Sequence, residues 1–328
     1  MYLVTGGAGF IGSNIAALIE NRLGAPVAIC DRLRDGIKWQ HIAKRDLVDI
    51  VHPDALPGWL TANAGALKGI VHMGAISATT ETDADKIIDN NFHLSWSLWL
   101  WCAEHGVPFI YASSAATYGG GEQGFDDDFD RAHLAKLRPL NAYGWSKHLF
   151  DRRIARHMAD GGKTPPQWAG LKFFNVYGPN EGHKGGQKSV VAHLYPQVRE
   201  KGAAKLFQSH RPDYEDGGQL RDFVWVGDCA EVVLWLLKNP GVSGLFNIGT
   251  GEARSFKDLA LAVFAALGIE PDITFVPTPE AIRDKYQYYT QAEMGRLRAA
   301  GYDKPFTRLE DGVTRYVQGY LSADDPYV

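Results

Sequence analysis

A glycine motif at the start of the chain constrains the fold more than any other stretch. The apolar run YLVT leads into GGAGFIGSN, IAALIENRLG follows with helical spacing, and VAIC ends in Asp31. This order predicts a strand, a tight turn, a helix and a second strand, which form a βαβ unit. Gly6 would permit the turn, Gly9 would let the backbone approach a pyrophosphate, and Gly12 would allow close helix packing. The motif therefore predicts a dinucleotide-binding site at the helix amino terminus.

The residues after the second predicted strand bear on which dinucleotide binds. Asp31 would bind the hydroxyls of the adenosine ribose, which favours NAD. Arg32 follows directly and Lys38 lies six residues further on, and both could pair with the 2′-phosphate of NADP. A solvated loop is the alternative interpretation of DRLRDGIK. We expect NADP, with NAD as the second choice.

Short apolar runs alternate with helical stretches over the first half of the chain. The runs span 69–75, 108–114 and 170–178, and helical patterns span 90–106 and 142–157. Strands that alternate with helices predict an α/β fold with a Rossmann-type, doubly wound parallel sheet.

The pattern changes after Pro179, where polar, glycine-rich loops interrupt the alternation. A helix candidate covers 189–201, and strand-like DFVWV, a helix and FNIGTG follow. Ser255 is a predicted N-cap of a later amphipathic helix. We expect two interleaved lobes. The Rossmann lobe would comprise 1–175 and about 222–250, and a smaller α/β substrate lobe would comprise 176–221 and 251–328.

A tyrosine and a lysine four residues apart form a second motif, Tyr143-Gly-Trp-Ser-Lys147. On a helix these two side chains share one face. A phenol free in water titrates at about pH 10, and a nearby ammonium, together with a positive nicotinamide ring, would favour the phenolate. Ser114, at the end of the predicted strand in YASSAATYGG, can hydrogen-bond the phenol or a substrate oxygen. We predict that Ser114, Tyr143 and Lys147 act together in catalysis.

Composition narrows the class of function. The 328 residues are 45% apolar and 22% charged, with a net charge of −4, so no basic footprint for nucleic acid is visible. No apolar run reaches the roughly 20 residues that a bilayer span needs, and no signal peptide is readable. Cys30, Cys102 and Cys229 lie in apolar stretches, so we expect reduced packing residues in a cytoplasmic protein. No metal site is expected, because His183 and His193 lack a third ligand at suitable spacing.

Beyond these motifs, sequence blocks along nearly the whole chain resemble the extended short-chain dehydrogenases/reductases, in the branch that processes nucleotide-activated sugars. The shared blocks are TGGAGFIG, the serine–tyrosine–lysine set, FFNVYGP, RDFVWVGD and FNIGTG. Within that branch the chain is most similar to the 6-epimerases of ADP-activated heptoses. This closer resemblance is carried by NVYGPNEGHKGG, YTQAE and LRAAGYDKPF, of which the last two lie in the variable carboxyl-terminal part.

The resemblance implies a reaction and a second base. It implies epimerisation at C6 of an ADP-heptose through a transient 6-keto intermediate with tightly bound NADP, in the synthesis of lipopolysaccharide inner-core precursors. Tyr143 would be one base, and Lys184 in the loop EGHKGG would be the other, on the opposite face of the sugar carbon. A glycine-flanked lysine suits this role, and a solvated surface lysine is the alternative. A homo-oligomer with an ADP-sugar as its small-molecule partner is also implied.

The resemblance extends to positions around both ligands. For the cofactor it implies Phe10 and Ile11 at the pyrophosphate turn, followed by Met73, Gly74, Ala75, Ile76, Ser77, Asn90, Tyr143, Lys147, Val176 and Lys184. For the substrate pocket it implies Asn175, Val176, Gly186, His193, Phe207, Gln208, Ser209, His210, Arg221 and Tyr286. Arg221 would hold the diphosphate through its guanidinium fork. Two departures are visible: Gly186 stands where the family usually has serine, and QSHRPDYEDGGQLRDF is longer than its counterpart.

Other functions are open as alternatives. Similar 4,6-dehydratases carry an Asp-Glu pair after the position of Ser114, whereas this chain has Ala115 and Ala116 there, so a dehydratase is disfavoured. A 4-epimerase of UDP-hexoses stays open, although its relatives lack the lysine of EGHKGG. A net dehydrogenase of a free sugar and a non-catalytic, redox-sensing protein are the alternatives from other classes.

Overall fold

The computed structural model describes residues 1–283 and 287–328. The strands are, in chain order, β1 (Tyr2–Thr5), β2 (Val27–Cys30), β3 (Leu47–Val51), β4 (Gly69–His72), β5 (Phe109–Ser114), β6 (Trp168–Phe173), β7 (Asn175–Tyr177), β8 (Ala204–Phe207), β9 (Leu220–Trp225), β10 (Gly244–Ile248), β11 (Ala253–Ser255) and β12 (Ile273–Val276). The helices are α1 (Phe10–Leu23), α2 (Leu56–Asn63), α3 (Ala84–Ile87), α4 (Leu94–His105), α5 (Arg131–Leu134), α6 (Ala142–Ala159), α7 (Val190–Lys201), α8 (Val226–Lys238), α9 (Phe256–Leu267), α10 (Glu280–Arg283), α11 (Gly295–Ala299) and α12 (Leu309–Tyr316).

One large parallel sheet has the strand order β10-β6-β5-β4-β1-β2-β3. Neighbouring strands in it pair in parallel throughout. The chain winds outward in both directions from β1, so the direction of winding reverses between β1 and β4. Ligands of such sheets bind at the carboxyl ends of the strands that flank this reversal. The predicted Rossmann-type, doubly wound sheet is confirmed.

The predicted amino-terminal βαβ unit is present as β1, α1 and β2. The two strands pair from Tyr2 with Val27 to Thr5 with Cys30, and α1 packs against α8. Buried side chains of α1 join the main core with apolar residues of the strands. Full burial of an aliphatic side chain contributes roughly 1.5–3 kcal/mol relative to exposure. This core therefore holds the turn between β1 and α1 in a fixed position.

The stretch 170–178, predicted as one strand, is two strands in the structure. β6 ends in the large sheet, and β7 begins after Phe174 in a separate sheet of order β11-β9-β7. β8 and β12 form a parallel pair of their own. Residues 222–225 of the strand-like DFVWV lie in β9 and so in the small sheet, although the predicted Rossmann lobe took in residues from about 222. The division of the chain into two lobes stays a prediction.

The predicted helices begin and end close to their expected positions. The stretch 90–106 is a π-helical turn followed by α4, 142–157 lies in α6, and 189–201 is α7. Ser255 caps α9: its hydroxyl accepts the N–H of Asp258, and the Asp258 carboxylate accepts the N–H of Ser255. Such a reciprocal capping box satisfies two donors that the helix itself leaves unpaired.

The cysteines are free and buried, as expected of packing residues. Cys102 packs with Trp99 and Phe150 in the core between α4, α6 and the large sheet. Burial raises the thiol pKa of Cys30 to about 12, which makes that thiol a poor nucleophile. In the described part of the chain, every helix is too short or too polar for a bilayer crossing.

Candidate active site

The turn between β1 and α1 forms a cradle where the winding of the large sheet reverses. α1 begins at Phe10, and no side chain among the described residues caps its first N–H groups. Gly6 has a φ of 64°, and a Cβ on Gly12 would lie 2.2 Å from the Gly6 carbonyl oxygen. The turn and the close approach of the helix therefore both require glycine. An uncapped helix amino terminus behind a turn of glycine and alanine fits the pyrophosphate of a dinucleotide.

The predicted ribose-binding carboxylate lies beside this turn. Asp31 accepts a 2.9 Å hydrogen bond from the Ala8 N–H and forms an ion pair with Lys38. Lys38 also donates a 2.9 Å hydrogen bond to the Arg32 carbonyl oxygen. The Arg32 guanidinium pairs with Asp54 at 2.7 Å, in an exposed position. The structure thus brings Asp31 and Lys38 together and engages the Arg32 side chain elsewhere.

The predicted cofactor loop after β4 contacts the glycine turn. A Cβ on Gly6 would lie 2.7 Å from the Gly74 nitrogen. The Asn91 side chain holds the next part of the loop, because its amide oxygen accepts the Ile76 N–H at 2.8 Å and its amide nitrogen donates to the Ile76 carbonyl at 3.0 Å. Asn91 also donates a 3.0 Å hydrogen bond to the Ser146 hydroxyl on α6. One side chain therefore ties the cofactor loop to the helix that carries Tyr143.

Sequence reasoning selected Asn90 and missed Asn91. Asn90 is half-buried and donates to the Asn91 amide oxygen at 3.1 Å, whereas Asn91 is fully buried. A buried polar chain also runs from Thr5 through His72 to Ser95, with contacts of 2.6 and 2.8 Å. This chain joins the ends of β1 and β4, so the two loops keep one relative position. The available signal was DNN at 89–91, which does not by itself say which asparagine points inward.

Ser114, Tyr143 and Lys147 meet at the carboxyl end of β5. Ser114 is the last residue of β5, while Tyr143 and Lys147 lie one turn apart on α6. Asn141 caps α6 by accepting the Gly144 N–H at 2.8 Å. The Ser114 hydroxyl lies near enough to the Tyr143 phenol to act on its pKa, and Lys147 is buried on the same helix. The structure therefore brings the predicted set together.

Gly144, which lies within the tyrosine–lysine motif, determines how closely α6 approaches Ser114. A Cβ at this position would lie 2.7 Å from the Ala116 carbonyl oxygen, in the turn that follows β5. Because the obstacle is backbone and not a flexible side chain, a larger residue would push the helix away. Sequence reasoning did not single out Gly144, since its contact lies in a distant part of the chain.

The protein's own groups do not lower the pKa of Tyr143. Burial raises it above the ordinary value, and the hydrogen bond with Ser114 opposes this effect. Burial also lowers the pKa of Lys147 to about 8, while the charge of Asp151 raises it. The predicted shift of the phenol toward neutrality is therefore not produced by the lysine alone, because desolvation disfavours the phenolate.

The loop that carries Lys184 is closed at its base and glycine-rich at its tip. Glu181 accepts hydrogen bonds from the Ser189 N–H and hydroxyl, at 2.5 and 2.6 Å. Gly185 has φ 56° and ψ −125°, a conformation that residues with a Cβ rarely adopt. The Lys184 ammonium lies 5.4 Å from the centre of the Phe10 ring, at the start of α1. Lys184 is therefore half-buried against the cofactor turn and is not a solvated surface lysine.

The surroundings of Lys184 lower its pKa in the direction that suits an acid–base residue. They also connect its loop to the glycine turn. Burial lowers the pKa of Lys184, and the charge of Glu181 raises it. A lysine with a lowered pKa exchanges protons more readily near neutral pH. The adjacent His183 ring lies edge-on to His41 at 5.0 Å, and His41 Nδ1 lies 2.8 Å from the Ala8 carbonyl oxygen.

Some of the predicted substrate residues lie on or near β7. Asn175 is exposed and Val176 half-buried on this strand, opposite Phe223 and Val224 of β9. His193, on α7, lies with its Nε2 atom 3.2 Å from the carbonyl oxygen of Gly186. The structure thus brings Gly186 and His193 together at the end of the Lys184 loop.

Hydrogen bonds within the longer segment after β8 and to residues in and after β12 hold the segment in place. Phe207 ends β8 and is half-buried. The Gln208 N–H donates to the Val276 carbonyl oxygen at 2.8 Å, and the Ser209 N–H donates to the Asp216 carboxylate at 2.8 Å. His210 accepts the Thr278 N–H at its Nε2 atom, at 3.1 Å. The segment therefore has a defined conformation next to β12.

Arg221 is buried on β9 and its guanidinium makes contacts inside the protein. It donates to the carbonyl oxygens of Leu220, at 2.8 Å, and of Gln287, and it lies over the Phe256 ring at 5.6 Å. Its role with a diphosphate stays a prediction. Tyr286, the last predicted substrate residue, lies outside the described residues.

Comparison with known proteins gives the family of the chain. A family model described as the NAD dependent epimerase/dehydratase family matches residues 2–249. The chain belongs to this family. The match runs from the start of β1 past the end of β10, so it takes in the whole large sheet. The family is NAD dependent by its description, in agreement with the cradle described above.

Individual relatives match the chain beyond the large sheet. A protein of Nitratidesulfovibrio vulgaris (strain Hildenborough) named ADP-L-glycero-D-manno-heptose-6-epimerase is 50% identical over 100% of both chains. A protein of Fusobacterium nucleatum with the same name is 46% identical over 100% of both chains. The solved structure of the Helicobacter pylori protein of that name has a TM-score of 0.79 at 26% identity, over 98% of this chain and 96% of the other. The Thermus thermophilus UDP-glucose 4-epimerase in complex with NAD has a TM-score of 0.73 at 26% identity, over 98% and 99%.

Proposed function

We propose that the protein interconverts the C6 epimers of an ADP-activated glycero-manno-heptose through a 6-keto intermediate. Relatives named for this activity are 43–50% identical over nearly the whole chain. The observation that carries the proposal is a second basic residue: Lys184 lies against the cofactor turn in a chain that also holds Ser114, Tyr143 and Lys147. Inversion at a carbinol carbon moves a proton off and onto its oxygen in two configurations, which two positioned acid–base groups can serve, whereas a simple dehydrogenase needs only one such group.

Tyr143 is the proposed acid–base group for one configuration of the C6 hydroxyl. Ser114 lies near its phenol and opposes the rise of its pKa, and Lys147 contributes positive charge from one helical turn away. When bound, the dinucleotide supplies a reversible hydride acceptor for C6. As the phenolate, the half-buried Tyr143 side chain takes the hydroxyl proton while the ketone forms, and as the phenol it returns a proton in the reverse direction.

Lys184 is the proposed acid–base group for the other configuration. Rotation about the bond between the ring and C6 would present the ketone's second face to the hydride that the dinucleotide supplies, and a proton donor on that side would protonate the oxygen. The lowered pKa of Lys184 suits such an exchange, and its glycine-flanked loop places the ammonium beside the start of α1. The two residues therefore have equivalent roles on opposite sides of one carbon.

We propose NADP as the dinucleotide, with NAD as the second choice. Lys38 pairs with Asp31, so it offsets the carboxylate that would otherwise repel a 2′-phosphate and adds an ammonium beside it. Lys38→Ala and Arg32→Ala should each weaken NADP binding more than NAD binding, measured by titration calorimetry on cofactor-free protein. Arg34→Ala, in the same loop, is the matched control. Equal affinity of the unmodified protein for the two dinucleotides would sink the NADP assignment.

Incubation of the purified protein with ADP-D-glycero-D-manno-heptose and no added cofactor tests the main proposal. Proton NMR at C6 should show conversion to the L-glycero epimer, with cofactor carried through purification and visible by absorbance after denaturation. UDP-glucose in a parallel sample should stay unchanged. Conversion of UDP-glucose to its 4-epimer, or net reduction of added NADP, would assign the site to another reaction of the family.

The family resemblance also leads us to propose a cytoplasmic homo-oligomer that makes precursors of the lipopolysaccharide inner core. Light scattering coupled to size exclusion tests the assembly, and a monomeric mass for the active protein would contradict it.

A further inference from the structure

A buried carboxylate lies directly behind the Ser114–Tyr143–Lys147 set. Asp151 is on α6, one turn beyond Lys147, and its side chain is 0% exposed. It accepts hydrogen bonds from the Tyr111 hydroxyl at 3.0 Å and from the Ser113 hydroxyl at 2.7 Å. Both donors belong to β5, the strand that ends in Ser114. Asp151 therefore fastens the helix with the tyrosine and lysine to the strand with the serine.

A second buried lysine faces Asp151 from the next strand. Lys172, on β6, places its ammonium 3.7 Å from the Asp151 carboxylate, and its side chain is also 0% exposed. The same ammonium donates to the Thr117 hydroxyl at 2.7 Å and lies 4.3 Å from the centre of the Tyr118 ring. The Asp151 carboxylate thus faces the buried Lys172 ammonium, and the buried Lys147 lies one turn away from Asp151 on the same helix. Removing one charge of such a set leaves the others without compensation.

The other titratable groups near this set are neutral or lie beyond Lys172. His72 faces Lys147 from β4, and burial lowers its pKa to about 3, so it is uncharged at neutral pH. His148, beside Lys172, has a pKa lowered to about 4 by burial and by that lysine. Asp127 acts on Lys172, and burial raises its pKa to about 6. The Tyr143 phenol is protonated in the free protein.

We infer that Asp151 is a positioning residue that keeps Lys147 protonated and aligned with Tyr143 and Ser114. Lys172 attracts the same carboxylate and thereby reduces the stabilisation that Asp151 gives to the Lys147 ammonium. The inference rests on the proposed role of Lys147 and deepens it. A buried lysine without a counter-charge loses its proton near neutral pH, because desolvation disfavours the ammonium. A neutral amine then offers no attraction to the developing phenolate. The Asp151 carboxylate supplies that counter-charge from inside the protein.

The pH dependence gives a direct test. Lys147 is protonated below its pKa of about 8, with Asp151 holding the pKa up against burial, so turnover that needs the ammonium falls as the pH rises through this value. In Asp151→Asn the descending limb of kcat should move down by roughly one pH unit or more. The double variant Asp151→Asn, Lys172→Met removes one charge of each sign and should move the limb back up. Asp160→Asn, at the exposed end of α6, should leave the limb in place.

A titration of Lys147 itself separates this inference from the proposed function. NMR of protein labelled with ¹³C at lysine Cε reports the pKa of Lys147 without any substrate, and Lys147→Arg identifies the signal. The signal should titrate at lower pH in Asp151→Asn, and by a smaller amount in Ser113→Ala, which removes one donor from the carboxylate. If Asp151→Asn fails to fold, Ser113→Ala still decides the matter.

Two results would overturn the inference. One is a Lys147 signal that titrates at the same pH in Ser113→Ala and in any folded Asp151 variant. The other is an Asp151→Asn enzyme with kcat reduced equally at every pH, which would indicate a purely structural residue. A protein that shows the Lys147 shift but does not epimerise the ADP-heptose would support the inference and contradict the proposed function.

Discussion

Tyr143 and Lys184, the two residues proposed to serve one carbon, are supported in different ways. Tyr143 lies in the first turn of an 18-residue helix, and its phenol lies near Ser114 at the end of a central strand. Lys184 lies in a six-residue 3-10 turn next to a glycine with positive φ. The first support is a packed helix on a sheet, and the second is a short loop.

The surrounding space explains the difference. A Cβ on Gly144, beside Tyr143, would collide with backbone at 2.7 Å, whereas a Cβ on Gly185 or Gly186 would meet no described atom within 4 Å. The Lys184 loop is nevertheless anchored, because Glu181 and Ser189 are bonded across its base. The comparison teaches that one base has a position set by packing, while the other has room to adjust above a fixed anchor.

Tyr143→Phe should have the largest effect on this pair. The variant loses proton transfer on one face, and interconversion needs both faces, so epimerisation should fall toward the upper end of about 10²–10⁴. The rate is followed by NMR at C6, and cofactor content is checked in each sample. Trp145→Phe, at an exposed position of the same helix, is the control. If the Tyr143→Phe enzyme were active, Tyr143 would not be one of the two acid–base groups, and the comparison with Lys184 would no longer hold.

Lys184→Met should cost about 10²-fold or more in the same assay, because the second face then lacks its acid–base group. Lys188→Met changes the same residue type at the end of the same loop and should stay close to the unmodified rate. Should Lys184→Met epimerise at the unmodified rate, EGHKGG would be a surface turn and Tyr143 would have to serve both configurations.

Gly185→Ala should have an intermediate effect that is confined to the loop. Its φ of 56° with ψ of −125° is strained for alanine by about 1–3 kcal/mol. If the loop relieves this strain by shifting, Lys184 is displaced, and kcat should fall by about tenfold with little change in thermal stability. Gly24→Ala, at the end of α1 with the same φ of 56°, should instead lower stability and leave kcat unchanged. The reverse pattern would mean that the loop conformation does not position the lysine.

Cys102→Ala should have the smallest effect on catalysis. The side chain lies in the core that supports α6, and its loss should lower stability by about 1 kcal/mol. The turnover should stay nearly intact, because the hydrogen bonds that place Tyr143 are made at the other end of the helix. Thermal unfolding and kcat are measured on the same preparation, and a well-folded but inactive Cys102→Ala would reveal a role beyond packing.

Local patterns predicted much of the fold because parallel strands buried on both faces read as continuous apolar runs. The break at Phe174 could not be predicted in this way. The run GLKFFNVYG holds a single turn-type residue in its interior, Asn175, which does not by itself mark a break. What divides the run is the partner that each half finds, β5 and β10 on one side and β9 on the other. Pairing of this kind depends on residues far away in the chain.

The residues of the candidate site likewise fall into those that local spacing predicted and those that depend on distant contacts. The four-residue spacing of Tyr143 and Lys147 is a local property of a helix, so it was readable. The need for glycine at position 144 comes from the Ala116 carbonyl, and the importance of Asn91 comes from Ile76 and Ser146. These contacts are made between distant segments, and spacing along one helix carries no signal for them.

The three strands of the small sheet, β7, β9 and β11, come from separate segments of the chain. β7 follows β6 after Phe174 alone, β9 runs directly into α8, and β11 follows β10 after residues 249–252. A chimaera that borrowed this sheet from a relative would need three separate splices, each placed within a few residues of a strand of the large sheet or of α8. New sugar specificities in this scaffold are therefore better sought by replacing side chains along β7, α7 and the segment after β8 than by exchanging modules.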